Sequence, residues 1–295
     1  MATTILNAFR EYRSNLEITD KQTTLVSTRR NNVVSAIEQV ITLHQQPSYL
    51  IGSYDRNTLI RYLSEGDVDV MVVLHYGDNK SWDTDEGTIK VLTKFKSILD
   101  AAFPSVEKRI DRNCVSMKYY EYTLDIVPAF AIDNGSFVIP DTIRQKWLPT
   151  NPIAFAERIS AVNKNMNGSF IPLIKMIKGW NREKGFPLKS FHLECLMYDR
   201  YKTYTQAYTY SSMISLFFQN LESYLSNASF DPVTGDRVDT YLDNYGQVSR
   251  RQKAIQLART AAKESSIALV DEEKNPSIAI GEWKDLLGTF FPDYG

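Results

Sequence analysis

Between Thr19 and about residue 45, Leu25, Val26, Val33, Val34, Ile37, Val40 and Ile41 recur three and four residues apart. That spacing puts them on one stripe of a long helix, which Thr19 or Asp20 can cap. From about 48 to 139 the pattern shortens to strand-like runs: "SYLIGS", "VDVMVVL", "SVEKRI", "CVSMKYY", "YTLDIVPAF" and "SFVIP". One helical stretch, "TIKVLTKFKSILDAAF", interrupts them, and Pro104 marks its exit. After Pro152 helical spacing returns in six segments: "IAFAERISAVNKNM", "FIPLIKMIKGWNREKG", "SFHLECLMYDRY", "AYTYSSMISLFFQNLESYL", "SRRQKAIQLARTAAKESSIALV" and "SIAIGEWKDLLGTFF". The stretch 227–246 carries Asp-Pro and Thr-Gly turn signals and is expected to be a loop. No internal repeat or low-complexity tract is visible. The expected fold is α+β: a mixed-sheet lobe over 1–150 with a spine helix at about 19–45, then a helical lobe over 151–295. A cleft between the lobes is the default ligand site.

Composition narrows the function classes. The 295 residues are 43% hydrophobic and 12% aromatic, ample for a real core, and the formal net charge is -1. No single-sign field covers the chain, so neither a general nucleic-acid surface nor a membrane surface is expected. Cys114 and Cys195 are too few for a disulfide framework and lack zinc-site spacing, so both are expected to be buried free thiols. The first residues lack the basic start, apolar core and cleavage site of a signal peptide. No apolar run approaches the ~18 residues that span a bilayer. The expectation is a cytoplasmic protein.

The chemistry concentrates in "IGSYDRNTLIRYLSEGDVDVMVVL", 51–74. In a strand, residues two apart share a face, so Asp67 and Asp69 project together where the chain enters the apolar run Val70 to Leu74. Two such carboxylates repel unless one is protonated or a cation lies between them. Carboxylate oxygens are what a hard divalent ion such as Mg²⁺ prefers. Asp125 stands in a similar apolar run, flanked by Leu124, Ile126 and Val127. A lone carboxylate there is costly unless paired or metal-bound. If the two strands are neighbours, three carboxylates converge and can hold two ions ~3.5–4 Å apart. Each feature alone has a plainer explanation. An Asp-x-Asp pair is common in solvated turns and helix caps, and Asp125 could be a strand-end residue paired with a lysine. Upstream, the Gly52-Ser53 turn can offer backbone N–H groups and a hydroxyl to a phosphate. The order of the three features favours metal-assisted phosphate chemistry.

"GSYDRNT", "GDVDVMVVL" and "LDIVPAF" together resemble the polymerase-β-like nucleotidyltransferases. More narrowly, the chain resembles the bacterial CD-NTases, cGAS- and DncV-like enzymes that make cyclic oligonucleotide signals in anti-phage (CBASS) defence. "FIPLIKMIKGW", "KSFHLECL", "FDPVTG" and "EWKDLLGTFFP" extend the resemblance over nearly the whole chain. It implies that Asp67, Asp69 and Asp125 are the catalytic metal triad for two Mg²⁺ ions, with Mn²⁺ able to substitute. It implies that Gly52 and Ser53 contact the donor triphosphate. Lys178 is implied to lie against phosphates, Ser190 to bind one, and Phe191 to stack on a base. Arg56 belongs to the motif as a substrate-binding residue or, like Thr58, as a brace for the Gly-Ser turn. His192 is expected to be structural.

The implied reaction joins nucleoside triphosphates into a cyclic oligonucleotide with release of pyrophosphate. A cyclic dinucleotide containing uridine or adenosine is the expected product. Asn163, Asn165 and Asn167 lie where the family reads the acceptor base, and an amide can both donate and accept. Asn163 and Asn167 are therefore candidate substrate contacts, although Asn167-Gly168 also suits a plain turn. No nucleic-acid template or activator and no membrane partner is expected. A monomer is expected, with a downstream effector reached only through the product. The alternatives are an RNA-tailing or antibiotic-modifying transferase of the same superfamily, or a non-catalytic nucleotide-binding protein.

Overall fold

A computed structural model describes residues 2–132, 135–243 and 249–295. In chain order the elements are α1 (Ile5–Leu16), α2 (Asp20–Glu38), β1 (Leu43–Ile51), α3 (Gly52–Asp55), β2 (Asp67–Leu74), α4 (Tyr76–Asn79), α5 (Gly87–Ala102), β3 (Glu107–Ile110), β4 (Val115–Lys118), β5 (Thr123–Ala131), β6 (Phe137–Asp141) and β7 (Lys146–Thr150), followed by α6 (Pro152–Asn165), α7 (Phe170–Glu183), α8 (Ser190–Tyr201), α9 (Tyr210–Ser226), α10 (Arg250–Lys274) and α11 (Pro276–Leu287). The chain divides into two compact units, Ile18–Ala156 and Met1–Glu17 with Glu157–Gly295. The first 17 residues thus group with the helical part of the chain. Residues 244–246 of the expected loop lie outside the described residues.

In the unit Ile18–Ala156, the sheet runs β1-β2-β5-β4-β3, and β6 pairs with both β5 and β7. β2 and β5 are parallel and the other pairings are antiparallel, so the expected mixed sheet is present. Alternation sorts the side chains. Val68, Val70, Val72 and Leu74 of β2, with Val115, Met117, Leu124 and Ile126, face a core closed by α2 and α5. The intervening positions, Asp67 and Asp69 among them, face the other way. Pro128 lies inside β5, where a missing N–H would ordinarily break a ladder. Here β4 pairing ends at Ile126 and β6 pairing starts at Phe130, so Pro128 falls in the gap between them.

The helix expected over 19–45 stops at Glu38. Its start is as expected: Thr19 and Gln22 form a reciprocal capping box. Its end is not, because Leu43 pairs with Leu74 and the chain from there becomes edge strand β1. Strand pairing overrides the helical spacing of Val40 and Ile41, and Val40 is left exposed. An edge strand also accommodates Pro47, at the register shift between Leu43 and Ser48. β7 and α1 were not among the expected elements.

In the helical unit, α1 buries Ala8, Phe9, Tyr12 and Leu16. Phe9 packs edge-on against Trp283 and Phe291, and the Tyr12 hydroxyl donates to the Met176 carbonyl at 3.0 Å. A side chain at Gly179 would collide with the Tyr12 hydroxyl, at 2.4 Å from the Cβ position. The glycine of "MIKGW" is therefore what lets α1 approach α7. α10 buries a stripe of small residues, Ala254, Ala258, Ala261, Ser265 and Ala268.

Candidate active site

The register of four strands builds the site. Asp69 lies opposite Asp125, Asp125 opposite Ser116, and Ser116 opposite Arg109. On the other side of Asp69 stands Ile51, the residue before Gly52. One row of side chains thus runs from the Gly-Ser turn through two aspartates to the edge strand, on the face away from the α2–α5 core. Asp67 sits one step along the same face, in a second row with Thr123, Lys118 and Glu107. The adjacency of the two acidic strands, on which the sequence argument depended, is therefore present.

Gly52 is fixed by two constraints. Its φ is +71°, and Asp69 Oδ2 lies 2.1 Å from where a Cβ would stand. Only a residue without a side chain lets the turn come against the carboxylate. The Ser53 carbonyl accepts from the backbone N–H groups of Thr58 (2.9 Å) and Leu59 (3.1 Å), and from the Thr58 hydroxyl (3.3 Å). Thr58 thus braces the turn. Arg56 is buried with its guanidinium 5.3 Å from the centre of the Phe155 ring.

The electrostatics are those of acids drawn out of water beside one another. Burial, then the nearby Asp125 charge, raises the Asp67 carboxyl above the usual range, and Arg109 partly offsets this. Burial also raises Asp125, with Asp111 adding to it, while hydrogen bonds from Ser116 and Cys114 and the charge of Arg109 work against it. Burial beside Asp125 pushes the Cys114 thiol up to about 12, and Cys114 and Cys195 are both buried free thiols, as expected. Among the described residues no three His, Cys, Asp or Glu side chains already enclose a metal position. The donor set nonetheless fits a hard cation: it is carboxylate oxygen on one shared face, and Asp125 Oδ1 is buried with no hydrogen-bond partner.

The other residues singled out in the sequence lie in the helical unit. Lys178 on α7 is buried and donates to Glu194 on α8 at 2.5 Å. Ser190 is exposed and Phe191 half-buried, at the start of α8. The loop before them is held by Asn181, which exchanges hydrogen bonds with Leu188 at 2.8 and 3.0 Å. Tyr241 accepts from the Lys189 backbone N–H at 2.8 Å and bonds His192 Nδ1 at 2.9 Å. Asn163 accepts from the Ile171 N–H at 3.0 Å, and Asn167 has φ +52° ahead of Gly168 at +77°. Both asparagines therefore build the α6–α7 turn. Sequence reasoning missed Ser116, Arg109, Asp111 and Glu194. The first two were findable, because "VEKRIDRNCVSMK" alternates as the Asp67–Asp69 run does.

The model of the Second Messenger Oligonucleotide or Dinucleotide Synthetase domain matches residues 3–163. The chain belongs to this family. It is a nucleotidyltransferase of the CD-NTase kind. A cyclic AMP-AMP-AMP synthase of an Acinetobacter strain is 30% identical to it over 270 residues, covering 83% of this chain and 72% of the relative. A probable cyclic nucleotide synthase of Bacillus cereus is 27% identical over 282 residues, covering 82% of this chain and 81% of the relative. Among solved structures, the Vibrio cholerae DncV cyclic AMP-GMP synthase matches with a TM-score of 0.74 at 11% identity, over 99% of this chain and 98% of that one. The Escherichia coli MS115-1 CdnC in its complex with HORMA-deltaN matches at 0.72 and 16%, over 97% and 98%. These likenesses give the synthetase family's two-lobe α+β fold. Among the described residues no helix is long and apolar enough to cross a membrane.

Proposed function

We propose that this enzyme joins nucleoside triphosphates, ATP among them, into a cyclic oligonucleotide and releases pyrophosphate at each bond. The observation that carries the reading is the placement of the Gly52 turn directly against Asp69, in register with Asp125. Asp67, Asp69 and Asp125 would hold two Mg²⁺ ions, or Mn²⁺ in their place. Bound there, divalent ions supply the charge that acidifies an attacking hydroxyl and offsets the charge on departing pyrophosphate. The Gly52-Ser53 turn, held by Thr58, offers N–H groups and a hydroxyl to the donor triphosphate. The acceptor hydroxyl oxygen bonds to the α-phosphorus, and the bond from that phosphorus to the bridging oxygen breaks on the far side. The hydroxyl proton passes to Asp125 and from there to solvent.

By resemblance, Lys178 and Ser190 contact phosphates and Phe191 stacks on a base. The product is then a second messenger in anti-phage signalling, acting on an effector that the enzyme itself does not bind. Adenosine is supported by the names of the Acinetobacter relative and of DncV. A uridine reading based on Asn163 and Asn167 draws no support from their place in the α6–α7 turn. The sequence expectation is a two-nucleotide ring. The name of the Acinetobacter relative favours a second reading, a ring of three adenosines.

The test is to incubate the purified protein with all four nucleoside triphosphates and Mg²⁺ or Mn²⁺, treat with phosphatase, and analyse the products by mass spectrometry. A phosphatase-resistant cyclic product is expected, and its mass fixes bases and ring size together. Linear products alone would move the assignment to a tailing or small-molecule transferase. Nucleotide binding without turnover would make the chain a binding protein.

A further inference from the structure

The row of side chains across the sheet has a direction. The Gly-Ser turn, where the leaving phosphates are placed, stands at the β1 end, next to Asp69. In-line transfer requires the attacking hydroxyl to approach from the opposite side of the phosphorus. On this sheet the opposite side is Asp125, then Ser116, then Arg109 on the edge strand. The acceptor nucleotide must therefore extend over β4 and β3, and what those strands present to that face decides what they can hold.

They present two cations. Arg109 is 72% exposed at its side chain, and Lys118 is exposed two residues beyond Ser116 on the same face. They are diagonal neighbours, because Arg109 lies opposite Ser116 and Lys118 opposite Glu107. Lys108, between Glu107 and Arg109 in sequence, is turned the other way and donates to the Phe103 carbonyl. Arg109 stands two strands from Asp125, about 10 Å at the usual strand spacing. That is the reach from a ribose hydroxyl to the same nucleotide's own 5′-phosphates. Two acids accompany the cations: Asp111, 3.6 Å from Arg109, and Glu107, opposite Lys118. The Arg109–Asp111 pair is at the surface and weak, so a polyphosphate can take over the guanidinium. A guanidinium fork matches phosphate oxygens, and an ammonium adds a point charge.

We infer that Arg109 and Lys118 grip the 5′-triphosphate of the acceptor nucleotide, on the edge of the sheet opposite the donor's Gly-Ser turn. The assignment rests on the nucleotidyl-transfer reading and adds a substrate-binding role that the sequence motifs do not mark. It makes the two substrate positions separable by mutation, since neither cation lies at the donor end of the row.

The experiment uses two analogues with one role each. 2′,3′-Dideoxy-ATP has no hydroxyl to attack with and serves only as donor. α,β-Methylene-ATP cannot release pyrophosphate and serves only as acceptor. Linear product is measured while each is varied at saturating amounts of the other. Arg109→Ala and Lys118→Ala are each expected to raise the acceptor KM roughly tenfold, with donor KM within about twofold of wild type. Arg109→Lys should restore part of the loss. Both side chains are exposed, so the variants should unfold at the wild-type temperature. An unchanged acceptor KM in both variants, with transfer intact, overturns the inference alone. A rise in donor KM as large as in acceptor KM overturns it as well. A wild-type enzyme that transfers from neither dideoxy-ATP nor the other dideoxynucleoside triphosphates overturns the transfer reading on which it rests.

Discussion

On the sheet face of residues 18–156, Asp67, Asp69, Asp125 and Asp111 stand near Arg109, and burial first, then the charges of neighbouring acids, raises the carboxyls of Asp67 and Asp125. In the helical unit, buried charges meet opposite ones. Lys175 is joined to Glu17, and Asp239 to both Arg237 and Arg251. The first arrangement costs stability unless something positive binds. The second is complete within the chain. Excess charge on a concerted face marks a place prepared for a ligand, while neutralised charge marks a place prepared for packing.

The comparison is broken most severely at Asp69. Asp69→Asn should cut transfer on the order of 10⁴-fold, about 5 kcal/mol, because an amide cannot supply the charge a divalent ion needs. The ligand-free protein should unfold at the same or a higher temperature, since repulsion is relieved. Product assay and thermal melting check the two halves. A soluble variant with normal turnover would remove Asp69 from the triad. In the helical unit the effect should fall on stability. Glu194→Ala leaves Lys178 buried without this carboxylate and should cost about 3–5 kcal/mol in urea unfolding.

Smaller effects sharpen the contrast. His192 is buried against Tyr241, and burial pushes its imidazole down to about 4 from its usual 6.5, with Arg251 helping and Asp239 opposing. The folded state therefore takes up this proton less readily than the unfolded one. Its contribution is complete above pH 6.5 and is lost as pH falls through about 4, roughly 3 kcal/mol in all. His192→Gln should flatten that part of the stability profile between those two pH values, as read by denaturant midpoints. Smallest of all, Asn163→Ser removes the bond to the Ile171 N–H and should cost about 1 kcal/mol. Its product masses should be those of the wild type, and a changed set of bases would return Asn163 to the base-reading role.

How much of this was legible in the sequence depended on whether the signal was local. Asp67 and Asp69 sharing a face, the Thr19 cap and the helices after Pro152 follow from spacing alone. That β2 and β5 are neighbours does not, and the triad argument had to assume it. Gly52 was legible as a turn glycine, but its contact with Asp69 is a tertiary fact. The end of α2 was missed because the spacing of Val40 and Ile41 imitates one more helical turn, while pairing with β2 draws the next residues into β1. Lys178 was legible as a candidate and Glu194 was not, because an ion pair between helices leaves no fixed spacing in the chain. Arg109 and Lys118 carry the alternation that would have flagged them, but short strands with four charges read first as a solvated edge.

The central claim is that the sheet face is held open for divalent cations and nucleotide. The most direct measurement is thermal unfolding of wild type and Asp69→Asn with Mg²⁺ and α,β-methylene-ATP, separately and together. The account predicts that the pair of ligands raises the wild-type melting temperature well beyond either alone, and that Asp69→Asn loses this joint shift while melting normally without ligand. An equal joint shift in both proteins would show that the nucleotide and metal bind elsewhere, and would contradict the account.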